Sequence, residues 1–246
     1  MKRIFLLFGL IFSCGFCFAF PCVTQFVEAG TGYVAAKNVE REFNPFNFTY
    51  GIAEKNESCV NFSPNFKVFA SVQFSDKIFD FTTLGNYFIP RLGQETDSQK
   101  IGFGAELVYH FQRYYDLYSE HDIYLEGVFR LALKNRLLFL ANLGSGLKFA
   151  RIDAVDRGFL WDFSLSGSVA LNYYFDCGAE IFGSIVSHGV YRYPLAFTPL
   201  YSLGFAWNFR NGLRVSSDFG LRLRDQFVVA PYIDRYEWNL KARFSF

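Results

Sequence analysis

The residues best suited to acid–base or nucleophilic chemistry are His110, His121 and His188, two of which have a serine close by and one of which has carboxylates as well. They lie in Ser119-Glu120-His121-Asp122 and Ser187-His188. A histidine beside a hydroxyl and an acid can activate that hydroxyl as a nucleophile. The same residue types occur in any polar loop, and no G-x-S-x-G, paired-aspartate or metal-ligand spacing accompanies them. No cofactor motif is present either: Gly102-Phe103-Gly104 and Gly144-Ser145-Gly146 lack the pattern of a phosphate loop and read as strand glycines. The larger constellation is electrostatic. Glu106, Glu126, Arg130, Lys148, Asp162, Glu180, Arg214, Asp218, Arg222, Glu237, Lys241 and Arg243 each occupy the polar side of an alternating segment. Two readings follow. Charges of both signs can pair in a narrow, water-poor interior, filling it and fixing register. They can also line a constriction that filters small solutes. Small barrels are filled by their own side chains, which favours the first.

The elements that must carry these charges have period two. From Trp161 to Phe175 one side reads Trp161, Phe163, Leu165, Gly167, Val169, Leu171, Tyr173, Phe175, and the other Asp162, Ser164, Ser166, Ser168, Ala170, Asn172, Tyr174. The same alternation recurs over 101–111, 123–134, 213–224 and 236–246. These are amphipathic strands, and alternation alone allows either a soluble lipocalin-like barrel with its apolar face inward or a membrane barrel with that face outward. Three features favour the membrane. The polar faces are rich in Ser, Gly and Asn rather than Lys and Glu. The strands are long: ten steps from Phe163 to Tyr173 make roughly 33 Å at about 3.3 Å per residue. Tilted by about 40°, such a strand covers an apolar band of roughly 25 Å. Aromatic residues also gather at strand ends, as interface girdles do.

Composition agrees. Phe, Tyr and Trp make up 21% of the chain, with 33 Phe and one Met, a balance that suits strands and a membrane–water boundary. Formal net charge is +1 and the basic residues are scattered among acids, so no nucleic-acid footprint is visible. Lys2, Arg3 and the apolar run Ile4–Phe12 read as an export leader, cleaved after Ala19. The domain organisation expected is therefore a leader over 1–19 and one barrel over 20–246. A rival is lipoprotein processing at Cys14, after Ile11-Phe12-Ser13. Cleavage after Ala19 leaves Cys22, Cys59 and Cys177, an odd number. Past the leader, no apolar run is long enough for a membrane helix.

Tight turns are expected at Lys134-Asn135-Arg136, Asp176-Cys177-Gly178 and Arg210-Asn211-Gly212, and longer links near 112–121, 151–158, 188–199 and 225–234. Counting back from Phe246 gives eight strands to about Lys100, and 45–54 and 65–75 add two. The expectation is an all-β, antiparallel, up-and-down barrel of about ten strands, with eight or twelve allowed by the ambiguous stretch 76–99. In the ten-strand topology Cys59 faces outside while Cys22 and Cys177 face the periplasm. The loop Phe227-Val228-Val229-Ala230-Pro231-Tyr232 is apolar for an exposed segment. It packs on neighbouring loops, buries against the lumen mouth, touches lipid or meets an extracellular ligand, and the first reading is favoured over a binding site.

The last residues, Tyr236-Glu-Trp-Asn-Leu-Lys-Ala-Arg-Phe-Ser-Phe246, resemble the C-terminal assembly signal of bacterial outer-membrane β-barrels. Phe246, Phe244 and Leu240 match its alternation, and Ala242 departs from it. The resemblance implies export, periplasmic chaperones, insertion by the barrel assembly machinery, and outer-membrane lipid as surroundings. Within that superfamily the residues fit a surface-exposed structural or binding protein, or a narrow porin-like channel for small solutes. The alternatives are a small outer-membrane enzyme acting on lipid or peptide, and the soluble periplasmic carrier.

Overall fold

The computed structural model describes residues 23–36, 41–54, 66–75, 78–88, 99–114, 118–134, 136–152, 160–190, 199–224 and 232–246. The leader with Ala19, together with Cys14, Cys22, Cys59 and residues 225–231, lies outside them. Thirteen strands form one antiparallel sheet: β1 (Val23–Ala36), β2 (Arg41–Phe43), β3 (Phe46–Glu54), β4 (Phe66–Phe74), β5 (Ile78–Phe88), β6 (Gln99–Tyr114), β7 (Tyr118–Leu133), β8 (Leu137–Ile152), β9 (Leu160–Tyr174), β10 (Ala179–Val190), β11 (Leu200–Asn208), β12 (Leu213–Arg224) and β13 (Tyr232–Ser245). Consecutive strands pair in up-and-down order, and β13 closes on β1 from Phe26↔Ser245 to Ala36↔Arg235. The short β2 only extends one end of β1. The closed ring therefore has twelve members, every strand except β2.

Alternation decides which way the wall faces. The most exposed large side chains include Leu143 at 77%, Leu203 at 67%, Trp161 at 62% and Leu125 at 61%, whereas Glu180 is 1% exposed and Arg130 4%. Apolar groups point out and charges point in, the inverse of a soluble barrel, and the lipocalin-like alternative falls with it. Outward aromatics form two bands. Tyr173 and Phe175, Phe205 and Trp207, and Phe244 and Phe246 meet ring to ring near the edge that holds the chain end. Phe46 and Phe74 meet near the other edge, the one toward which Trp161 also lies. Between them Leu107, Leu125, Leu143, Val169, Ile185 and Leu203 face outward. This is the layering that lipid with two watery boundaries selects.

The ring contains the ten expected strands and two more. β1 occupies the least patterned part of the mature chain, and β5 the ambiguous stretch. Adding β1 reverses the direction of β3 and β4. The link 55–65 therefore leaves from the edge that holds Val23, since Val23 pairs with Glu54. Cys177 sits at that same edge as an exposed free thiol. Cys59 itself is outside the described residues, but its segment springs from the edge opposite to the one expected. The rule of short turns on one side fails for the same reason: links 55–65 and 89–98 share an edge with the tight turns, and the short link 115–117 lies across from them.

The two glycine turns are alike. Gly178 donates to Phe175 at 3.0 Å and Gly212 to Phe209 at 3.2 Å, with Phe175 and Phe209 each donating at 2.8 Å across the neck of its loop. Gly178 and Gly212 have φ of +94° and +84°, a left-handed conformation that a β-carbon would oppose. Asn211-Gly212 thus serves a three-residue loop rather than the two-residue hairpin that Asn-Gly favours.

Candidate functional site

Strand register puts all twelve charges of the constellation on the inner face. Each pairing row joins inner residues to inner residues: Glu106↔Glu126, Lys148↔Asp162, Arg214↔Arg243, Ser216↔Lys241, Gly220↔Glu237. The same rows hold His110, which also falls on the polar side of its segment, and add Glu28, Lys67, Glu120, Asp122 and Arg235, which the alternation in the sequence does not single out.

These groups fall into clusters. Glu180 accepts two bonds from Arg214, Nε at 3.0 Å and Nη2 at 3.2 Å. Asn172 and Asn208 also donate to its carboxylate, at 2.7 and 3.3 Å. Four donors on a carboxylate that is 1% exposed offset the cost of removing it from water. Nearby, Arg243 lies 4.0 Å above the Phe26 ring, and Lys67 lies 5.5 Å from that ring and 4.6 Å from Phe69. Phe26 fits because its wall neighbour is glycine: a β-carbon on Gly51 would come within 2.3 Å of the ring. Across the lumen Asn142 Nδ2 donates to Glu106 at 2.9 Å and to Glu126 at 3.3 Å. Higher on the same side, Lys148 pairs with Glu120 at 2.5 Å, and His110 Nδ1 stands 3.7 Å from Asp122. On the far side Asn239 donates to Asp218 at 2.9 Å and Arg235 pairs with Glu237 at 2.9 Å.

The signs are unevenly distributed around the ring. The arc β6–β9 carries Glu106, Glu120, Asp122, Glu126 and Asp162 against Arg130 and Lys148. The arc β12–β13 carries Arg214, Arg222, Arg235, Lys241 and Arg243 against Asp218 and Glu237, with Glu28 on the adjoining β1 and Glu180 beyond β11 on β10. In a ring of twelve, β6 stands opposite β12 and β7 opposite β13.

With that geometry in hand, the chain can be set beside known proteins. No family model matches it, and no curated protein sequence does. Solved structures do match. A KdgM porin in complex with disordered oligogalacturonate superposes with a TM-score of 0.54 at 9% identity, covering 90% of this chain and 99% of that one. The NanC porin gives 0.55 at 7% identity, covering 89% and 98%. The COG4313 outer membrane channel from Pseudomonas putida F1 gives 0.52 at 11% identity, covering 93% and 97%. The fold is that of outer-membrane porins and channels. At these identities the likeness concerns the fold alone, and the charged lumen must be read from this chain's own residues.

The histidines do not assemble into one site. His110 and Asp122 are inner register partners, whereas His121 is turned outward, its Nδ1 2.7 Å from Tyr109 Oη and its ring 4.7 Å from Phe111. Ser119-Glu120-His121-Asp122 is not a loop but part of β7, so its members alternate between lumen and lipid. Ser187 likewise lies outward of the wall, and the His188 side chain is outside the described residues. At the closing seam, Phe246 exchanges backbone hydrogen bonds with Gln25 at 2.9 and 3.0 Å, and Thr24 Oγ1 donates to the Phe246 carbonyl at 3.0 Å. Leu240, Ala242, Phe244 and Phe246 all face outward.

Proposed function

We propose that the chain is a narrow, porin-like channel of the bacterial outer membrane that passes small hydrophilic solutes. The observation that carries this reading is the inside-out wall: lipid-facing leucines and aromatics around a lumen lined by charges of both signs. Its likeness in fold to porins and channels supports it. The test is planar-bilayer recording with the refolded full chain, whose folding is checked by heat-modifiable migration. Discrete ohmic current steps are expected. Silence from demonstrably folded protein would replace the channel by a plugged scaffold. One observation favours that second reading: near the edge holding the chain end, inner residues Phe26, Leu138 and Glu180 are 2%, 3% and 1% exposed. The outward strand that ends on Phe246, already sealed to β1, is the surface we assign to the assembly machinery and its periplasmic chaperones. The split of His110 and His121 between lumen and lipid argues against an enzyme.

A further inference from the structure

Among the described residues, a pair of inner acids and a pair of inner cations each stand without a hydrogen-bonded ion partner. The first is Glu106 with Glu126. These register partners share one neutral amide, Asn142, and among the described residues neither takes an ion pair with Lys or Arg. The second is Lys67 with Arg243, which rest on the Phe26 ring rather than on a carboxylate. Arg243 Nε is buried without a hydrogen-bond acceptor. Glu28 lies within electrostatic reach of both cations but bonds neither. A ring face attracts a cation without cancelling its charge. Two carboxylates held by one neutral amide have no bonded cation between them, and both groups therefore invite a counter-charge. They adjoin one another in the lumen: one row of register partners runs from Lys67 through Tyr87 to Glu106 and Glu126, and Lys67 shares the Phe26 ring with Arg243.

We infer that this part of the lumen is a binding site for dipolar solutes, molecules that carry both an ammonium and a carboxylate, such as amino acids and short peptides. The ammonium goes to Glu106 and Glu126, and the carboxylate to Lys67 and Arg243. Opposed charges across a low-dielectric lumen make a transverse field that orients such a molecule as it passes. A purely acidic solute meets Glu106 and Glu126 as like charges, and a polyamine meets Lys67 and Arg243 in the same way. The inference rests on the channel reading and names its solute class.

The experiment records KCl current through the refolded full chain while glycylglycine, galacturonate or putrescine is added. Glycylglycine is expected to reduce the current at several-fold lower concentration than either singly charged class. The double variant E106Q/E126Q should lose that preference and move the reversal potential toward anion selectivity, and K67Q should move it toward cations. The site is overturned if galacturonate or putrescine blocks as well as glycylglycine, or if the preference survives in E106Q/E126Q. Should the double variant fail to fold, K67Q alone decides, since an unshifted reversal potential removes Lys67 from the site. If folded wild type passes no current, the channel reading fails. Calorimetric titration of the same protein in detergent with glycylglycine then judges the site separately, with heat of binding retaining it and its absence ending it.

Discussion

The two arcs of the lumen carry their charges differently. On β7, Asp122, Glu126 and Arg130 are 3%, 8% and 4% exposed, pressed against a wall thinned by Gly144 and Gly146. On β12 and β13, Asp218, Arg222, Arg235, Asn239 and Lys241 are only partly buried. The acidic arc holds its buried charges with fixed donors such as Asn142 and Lys148, whereas the basic arc sets Arg235 on Glu237, Asn239 on Asp218 and Arg243 on a ring face at partly open positions, with one fully bonded carboxylate, Glu180. A buried charge needs permanent partners; a hydrated one can exchange them for a solute. The arcs thus differ in how much of their charge is shut in, and the acidic arc still offers the lumen Glu106, which is only partly buried.

The sharpest way to break this contrast is at Glu180, the most deeply buried anion described on the basic side. Glu180→Ala should strand Arg214 and cost about 3–5 kcal/mol, the usual penalty for removing one partner of a buried pair. The urea midpoint of the protein folded in lipid vesicles would read it. Glu180→Gln, which keeps the volume and part of the bonding, should lose distinctly less. Equal losses would mean that packing, not charge, makes Glu180 necessary.

The outer face should not know about the arcs. Leu125, outside the acidic arc, and Leu203, on β11 beside the basic one, are 61% and 67% exposed. Arginine at either position should cost about 2–4 kcal/mol near the bilayer midplane, by the same unfolding measurement. If Leu125→Arg is tolerated while Leu203→Arg is not, that sector of the wall does not face lipid. Asn142→Ala comes next. It removes the donor that Glu106 and Glu126 share and leaves buried acceptors unmet, an effect of about 1–3 kcal/mol. Asn142→Asp, which adds a third carboxylate, should be worse; a neutral outcome would show that water already serves these carboxylates.

How much of this was legible depends on which side chains face inward. β9 is readable from its letters because Ser164, Ser166 and Ser168 alternate strictly with Phe163, Leu165 and Gly167. β1 is not, because Phe26 and Val34 point inward and Gly30 and Gly32 carry no side chain, so the polarity has no period. In β5 a register shift between Thr83 and Asn86 breaks the alternation after Asp80-Phe81-Thr82. Missing these two strands is what misdirected β3 and β4 and placed the Cys59 link at the wrong edge. Most inner charges of β6–β13 could be listed from parity alone, but Glu120 and Asp122 fall in the stretch that reads as a loop and Arg235 just before the last alternating segment. Their partners could not: Arg214 reaches Glu180 from two strands away, over the wall formed by Ala206, at a sequence separation of 34. Lys67 shares the inner face of β4 with Phe69, Ser71 and Gln73 against Phe66, Val68, Ala70, Val72 and Phe74, so the same parity that finds the charges of β6–β13 also reaches it.

The smallest effect expected lies outside the lumen altogether. Arg136 and Asp176 pair at 2.5 Å between two turns, with side chains 51% and 78% exposed. Their geometry is at least as close as that of Arg214 with Glu180, so the two pairs differ chiefly in surroundings. At this exposure water competes for both ions and salt screens them, which holds the pair to about 0.2–1 kcal/mol. Arg136→Ala should therefore shift the urea midpoint barely beyond error, and the shift should vanish in high salt. The Glu180→Ala loss should persist there, because its ions are shielded by protein rather than by solvent. If Arg136→Ala proved as damaging as Glu180→Ala, distance alone would set the strength of an ion pair in this barrel, and the contrast between buried and hydrated arcs would lose its physical basis.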